Sequence, residues 1–202
     1  MGRTAFCFDF DGTVTQQELL PLIARECDIY EEIQLLTKIT LEGLISFESS
    51  FKLRVKLLAS VGIDVVQGIA SRVLVEPSLV DFIQQNRERC FIVTGNLDVW
   101  VGPAIEQLLG CAFYSSRAKY EGNQLLGIDQ ILNKGAAVSE LKERFDQVIA
   151  IGDSMNDCPM FEKADLGIAY GGTHDPVSSL VKLSDYVVYQ PNALLRVLKN
   201  HL

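Results

Sequence analysis

Near its start the chain carries an apolar run, Ala5-Phe6-Cys7-Phe8, that breaks at Asp9-Phe10-Asp11-Gly12-Thr13-Val14-Thr15. The run is as continuously hydrophobic as a strand buried on both faces, and sheets of such strands need helical crossovers to bring each strand back parallel. A chain that opens this way has to alternate strands with helices, and this one places two carboxylates where its first strand ends. In open α/β sheets, ligands bind beyond the carboxyl ends of the strands. Side chains two residues apart share one side of an ideal strand, but Gly12 indicates that the strand is already ending. Such a pair can divide its work, one carboxylate acting as nucleophile and metal ligand and the other as general acid and base. Asp-Gly is also a common turn, and Asp-x-Asp-Gly can open a calcium loop. An EF-hand loop needs a further Asp or Asn and a terminal Glu, whereas this chain continues Thr-Val-Thr-Gln-Gln.

The pattern downstream is the alternation expected. From Gln16 to Glu76 apolar residues recur at helical spacing: Leu19, Leu20, Ile23 and Cys27, then Ile33, Leu36 and Thr37, then Phe47, Phe51, Leu53, Val55 and Leu58. Glu76-Pro77-Ser78 restarts the chain with a helix through Leu79, Phe82 and Ile83. A strand at 90–93 ends in Thr94-Gly95-Asn96, and the next helix carries Trp100, read as a packing residue, with Val101, Ile105 and Leu108. A short strand at 111–114 leads to a hairpin turn at Gly122-Asn123, and a helix follows Asn133-Lys134-Gly135. The buried strand at 148–151 ends in Gly152-Asp153-Ser154-Met155-Asn156-Asp157. Strands at 166–170 and 186–188 and helices at 177–183 and 193–198 complete the chain. The expected fold is α/β, a doubly wound parallel-sheet core over 1–15 and 77–202 with a small helical insertion at 16–76 after the first strand.

A length of 202 residues suits one domain, or a core with a small second one, and 48% hydrophobic with 22% charged residues marks a folded chain. The net charge of -8, with no basic run, argues against nucleic acid as a partner. An acidic protein can still hold an anion locally, through a metal, a few fixed cations and backbone amides. The five cysteines are odd in number and lack Cys-x-x-Cys spacing. They read as reduced thiols, with Cys7, Cys90 and Cys111 buried, in a cytoplasmic protein. Asp9 interrupts the first apolar run too early for a secretory signal, and no later stretch has the length of a membrane span. Of the two histidines, His174 in Gly171-Gly172-Thr173-His174-Asp175 follows a strand end and could approach the site, but is read as a loop residue with no catalytic part, and His201 is read as exposed.

Parallel strands bring their carboxyl ends to one edge, so Asp9 and Asp11, Thr94 and Gly95, and Asp153 and Asp157 should converge, with Lys134 opening the helix before the Asp153 strand. Taken singly, Thr94-Gly95 could be a turn, Lys134 a surface lysine and Asp153 a helix cap. Together they supply what phosphoryl transfer needs: an attacking carboxylate, donors for phosphate oxygens, an ammonium to neutralise charge, and carboxylates for magnesium.

These segments resemble the signatures of the haloacid dehalogenase superfamily of aspartyl-phosphate hydrolases: Asp9-Phe10-Asp11-Gly12-Thr13, Val93-Thr94-Gly95, Lys134, and Gly152-Asp153-Ser154-Met155-Asn156-Asp157. The resemblance implies that Asp9 attacks phosphorus, and that Asp11 protonates the leaving alkoxide and then deprotonates the hydrolytic water. Asp9, Asp153 and the backbone carbonyl of Asp11 would bind Mg²⁺, with Asp157 positioning Lys134 or a metal-bound water. Thr94, the Gly95 amide and Lys134 would cradle the phosphate. The helical insertion is similar to the cap of the phosphoserine phosphatase branch, which implies that Glu18 and Arg54 grip a substrate's ammonium and carboxylate. The branch usually has two glycines after its hydroxyl residue, whereas Asn96 follows Gly95 here and would narrow the pocket or add a polar contact. The expected partner is thus a small phosphomonoester, phosphoserine first, with a keto-pentenyl phosphate of methionine salvage or a phosphocholine-like ester as alternatives. A phosphotransferase would use the same intermediate. A non-enzymatic receiver-like switch is disfavoured by Asp11 and by the cap.

Overall fold

The computed structural model describes residues 3–41 and 44–202. Met1 and Gly2 of the expected core segment, and Glu42 and Gly43 of the expected cap segment, lie outside the described residues.

The apolar run near the start is β1 (Thr4–Phe8), the middle strand of a seven-stranded sheet. It pairs in parallel with β2 (Cys90–Leu97) on one side and with β5 (Gln147–Gly152) on the other. Strand alternation sends Phe6 and Phe8 into one core and Ala5 and Cys7 into another, so both faces are dry. With β3 (Ala112–Glu121), β4 (Gln124–Gln130), β6 (Leu166–Tyr170) and β7 (Tyr186–Val188), the order is β4-β3-β2-β1-β5-β6-β7. The strand order therefore reverses between β1 and β5, where crevices form in doubly wound sheets.

β4 departs from the parallel rule: it pairs antiparallel with β3 across the expected hairpin. β3 is also much longer than the stretch 111–114 suggests, because its outer half, with Arg117, Lys119 and Glu121 exposed, offers no apolar signal.

Between β1 and β2 lie α1 (Leu19–Glu26), α2 (Tyr30–Leu41), α3 (Phe47–Leu58), α4 (Ile63–Ala70) and α5 (Pro77–Gln85). Leu19, Ile23, Phe51, Val55, Leu58 and Val66 share one apolar core with Phe6, Phe8, Phe82 and Trp100. Trp100 lies in α6 (Asp98–Leu108), against which α4 packs. Phe6 meets Phe82 edge-on at 5.4 Å between ring centres. On the other face, α7 (Lys134–Lys142), α8 (Cys158–Phe161) and α9 (Ser178–Val181) supply Val138, Leu141, Phe161 and Leu180. The last helix, α10 (Pro191–Lys199), packs on α5 and β7.

Three local expectations are corrected. Leu53 is 47% exposed, on the outer side of α3 from Phe51 and Val55. The helix expected over 177–183 is the single turn α9. His201 is half-buried, with Nδ1 3.2 Å from Gln147 Oε1. All five cysteines are free, and Cys7, Cys90 and Cys111 are buried. Among the described residues, no helix is long and apolar enough to cross a membrane.

Candidate active site

Asp9 follows β1 directly and its backbone N–H donates to Ile151 O at 2.8 Å, which fixes it beside the end of β5. The chain then turns within Phe10–Val14, with Gly12 at φ 74°, in the left-handed region that disfavours side chains. Thr15 closes the loop: its N–H donates to Phe10 O at 2.9 Å and its Oγ1 accepts from Gly12 N at 3.2 Å. The loop swings Asp11 away from Asp9 toward the helical block, where Oδ1 accepts from Leu19 N at 2.9 Å, in the first turn of α1. Asp11 Oδ2 accepts from Asn96 Nδ2 at the end of β2. Asn96 thus adds the polar contact that the sequence left open, and it does so to a carboxylate.

Beneath Asp9 runs a buried relay of charge. Lys134 Nζ donates to Asp9 Oδ1 and to Asp157 Oδ1, each at 2.6 Å, and the three side chains are at most 4% exposed. Asp157 Oδ2 in turn accepts from the backbone N–H groups of Asp153 and Ser154, each at 3.0 Å. Thr94 is fully buried, and its Oγ1 accepts from Asn96 N at 3.2 Å. Thr94 and Lys134 therefore lie under the cavity wall, while Asp9, Asp11, Gly95 and Asn96 lie on it.

Burial opposes the charge on Lys134, but Asp157 and Asp9 overcome it and hold the ammonium above the usual lysine range. Asp9 is pushed up, first by burial and then by Asp157, against the pull of Lys134. Asp11 is raised to about 8 by burial and by Glu18, against the Leu19 amide. Asp153 is raised too, chiefly by burial. The site thus gathers more buried carboxylate than its one buried lysine balances.

A divalent cation fits this imbalance. Asp9, Asp153 and Asp157 bring carboxylate oxygens within 4.8 Å of one another. Asp157 already spends both oxygens on Lys134 and the backbone, which leaves Asp9 and Asp153 as the acids to hold an ion. Asp153 Oδ1 accepts from Thr13 Oγ1 at 2.7 Å, whereas Oδ2 is buried and accepts no hydrogen bond. An orphaned buried carboxylate oxygen costs several kcal/mol unless a cation meets it.

Above the sheet edge the helical block roofs a cavity of about 460 Å³. Glu18 sits at the N-cap position of α1 but makes no capping bond, so its carboxylate faces the cavity instead of its own helix. Arg54 comes from α3, and its buried Nε has no partner. Burial lowers the guanidinium's pKa, opposed by Glu18. Phe47 and Phe51, stacked at 5.9 Å, form an apolar wall. A Cβ at Gly95 would stand 3.2 Å from Phe47 Cζ, so the glycine lets the helical block settle on the end of β2.

His174 does approach the site: it lines the cavity, with Nε2 2.9 Å from Asp153 Oδ2 and 3.6 Å from Glu18 Oε1. Thr13, Thr37, Thr40 and Met155 also had no assigned part, yet Thr13 braces Asp153 and the others line the cavity. Only Thr13 and Met155 fall within recognisable motifs. Thr37 and Thr40 carry no signal beyond helical spacing.

Comparison with known proteins bears on the fold and the family. The sequence profile of the haloacid dehalogenase-like hydrolases matches residues 6–162. A phosphoserine phosphatase of Methanocaldococcus jannaschii is 31% identical over 175 residues, 81% of this chain and 83% of that protein. Among solved structures, a phospho-aspartyl intermediate analogue of phosphoserine phosphatase superposes with a TM-score of 0.81 at 27% identity, covering 96% of this chain and 98% of the other. A substrate-bound phosphoserine phosphatase complex superposes with a TM-score of 0.82 at 26% identity, covering 99% and 98%.

Proposed function

The chain belongs to the haloacid dehalogenase-like hydrolase family, and we propose that within it the protein is a Mg²⁺-dependent phosphoserine phosphatase working through an aspartyl phosphate. The observation that carries the substrate is the pairing of signs in the roof. Phosphoserine presents one ammonium and one carboxylate beside its phosphate, and Glu18 and Arg54, whose buried Nε has no partner, line the same cavity as Asp9. An acid and a guanidinium are the natural partners for those two groups. Similarity to phosphoserine phosphatases over most of the chain supports the same reading.

In this reading Asp9 attacks phosphorus, forming an Oδ–P bond as the P–O bond to serine breaks. Burial and Glu18 push the Asp11 carboxyl up, which suits it to deliver a proton to the departing serine oxygen. Having become a carboxylate, Asp11 then takes a proton from the water that attacks the aspartyl phosphate, which releases phosphate and restores Asp9. Lys134 balances the charge gathering at Asp9 and fixes its orientation, and Asp157 fixes Lys134. The Gly95 amide holds a phosphate oxygen at the cavity wall, and Thr94, just beneath that wall, supports it from below. Asp9, Asp153 and the carbonyl of Asp11 would hold Mg²⁺, which when bound neutralises the phosphoryl oxygens and the crowded carboxylates. Residues 16–76 serve as the cap and exclude bulk water from the intermediate. Free cysteines fit a reducing, cytoplasmic setting.

The test is phosphate release from phosphoserine, phosphothreonine, phosphocholine and sugar phosphates, each with Mg²⁺ and with excess chelator. Metal-dependent preference for phosphoserine is the expected result. Preference for phosphocholine or a sugar phosphate would overturn the substrate, and metal-independent turnover would overturn the mechanism.

A further inference from the structure

The loop after β6 carries a histidine into the site, and neither the aspartyl chemistry nor the grip on substrate uses it. His174 Nδ1 lies 3.2 Å from the carbonyl oxygen of Asp175. As an N–H, Nδ1 donates to that carbonyl, which leaves the lone pair on Nε2 for a ligand, the arrangement by which backbone carbonyls set the tautomer of metal-binding histidines. Nε2 in turn stands 2.9 Å from Asp153 Oδ2, and the ligand atoms of Glu18, Asp153 and His174 lie within 4.8 Å of one another.

That 2.9 Å approach lacks the alignment of a hydrogen bond, leaving Asp153 Oδ2 without a hydrogen-bond partner although the side chain is only 1% exposed; without a metal, a protonated imidazole meets it as an ion pair, and a cation would take that proton's place. Close but misaligned donor atoms are what a shared cation produces, and neighbouring ligands around an octahedral ion with bonds of about 2.1 Å stand about 3 Å apart. The loop after β1 leaves this spot open. A Cβ at Gly12 would lie 3.0 Å from Asp153 Oδ2 and 3.2 Å from His174 Nε2, so a side chain there would crowd both.

We propose that His174 is a ligand of the divalent cation held by Asp153, and that its imidazole shifts the site's preference from Mg²⁺ toward first-row transition ions such as Mn²⁺ and Co²⁺. The inference rests on the reading of Asp153 as a cation ligand. Mg²⁺ takes oxygen ligands and keeps its waters, so an added nitrogen does little for it. Imidazole is a good ligand for the transition ions, and each gains from the exchange of one water for nitrogen.

The experiment is direct binding to the full chain without substrate: titration with Mn²⁺ and Mg²⁺, and pulsed electron paramagnetic resonance of the Mn²⁺-loaded protein, for wild type, His174→Gln and Asp153→Asn. Wild type is expected to show nitrogen modulation from a coordinated imidazole, and His174→Gln to lose it. The ratio of Mn²⁺ to Mg²⁺ affinity should fall at least about tenfold in His174→Gln, with Mg²⁺ binding within about threefold of wild type. Asp153→Asn should weaken both ions. Mn²⁺ bound without nitrogen modulation, modulation that survives in His174→Gln, or an unchanged ratio makes His174 a counter-ion only and overturns the proposal while the Mg²⁺ reading stands. Failure of wild type to bind either ion overturns the cation reading of Asp153 and this inference with it.

Discussion

The floor and the roof of the cavity are built on opposite terms. The floor, Asp9, Lys134 and Asp157 at the sheet edge, is buried and closed: each lysine bond is 2.6 Å, and Asp157 uses both its oxygens. The roof, Glu18 and Arg54 on the helical block, is part-exposed and open, with a guanidinium nitrogen lacking any partner. Hydrogen bonds already made within the protein hold geometry but have nothing left to give a ligand. Bonds left unmade are the ones a substrate can complete. The difference assigns reaction type to the floor and substrate choice to the roof.

The largest expected effect breaks the floor. Asp9→Asn keeps the shape and removes the nucleophile, so kcat should fall by about ten-thousand-fold or more on every ester. Turnover within tenfold of wild type would remove Asp9 from its role. Asp11→Asn should lower kcat by about a hundredfold to ten-thousand-fold. It should also let a radiolabelled aspartyl phosphate persist after acid quench when the substrate has a good leaving group. Normal hydrolysis by this variant would place the general acid elsewhere.

The roof should respond differently. Arg54→Ala is expected to weaken kcat/KM for phosphoserine by about tenfold to a hundredfold, the worth of a charge-assisted hydrogen bond. For p-nitrophenyl phosphate, which has no carboxylate to grip, kcat/KM should stay within about threefold. Equal losses on both esters would erase the division between floor and roof.

The smallest effect is read in stability. Burial makes Asp9, Asp11 and Asp153 hold protons more tightly in the folded chain than in the unfolded one. Their contribution is complete below about pH 4 and is lost as pH rises through the folded values, about 8 for Asp11. His174, raised to about 11 by Asp153 and Glu18, has the same sign: its contribution is complete below 6.5 and is lost as pH rises through about 11. Chelated protein should therefore melt lower at pH 8.5 than at pH 5, and added Mg²⁺ should recover more at pH 8.5. Melting that is flat with pH under chelation would mean that the carboxylates are not strained by burial.

Much of this was legible because it is written in short stretches. Asp9-Phe10-Asp11-Gly12 lies at the end of an apolar run whose period and punctuation give both the strand and its break, and Gly152-Asp153 does the same for β5. His174 was only half legible. Its position after a strand end put it within reach of the site, but its contact with Asp153 follows from how the loop after β6 folds back. Asn96 read as a departure from a glycine pattern, and only its distance in space from Asp11, through the β1–β2 pairing, turned the departure into a contact.

By itself the sequence determined the alternation of strand and helix, the insertion after β1 and the carboxylates at the strand ends. Those follow from hydrophobic period and chain punctuation, which act over a few residues. The tertiary structure alone decided which of the charges met. It saturated Asp157, left Asp153 Oδ2 without a hydrogen bond, buried Thr94 beneath the cavity and turned Glu18 from its helix toward the cavity and His174. Whether a polar atom is paired or orphaned depends on neighbours far off in the chain, and local pattern carries no record of them.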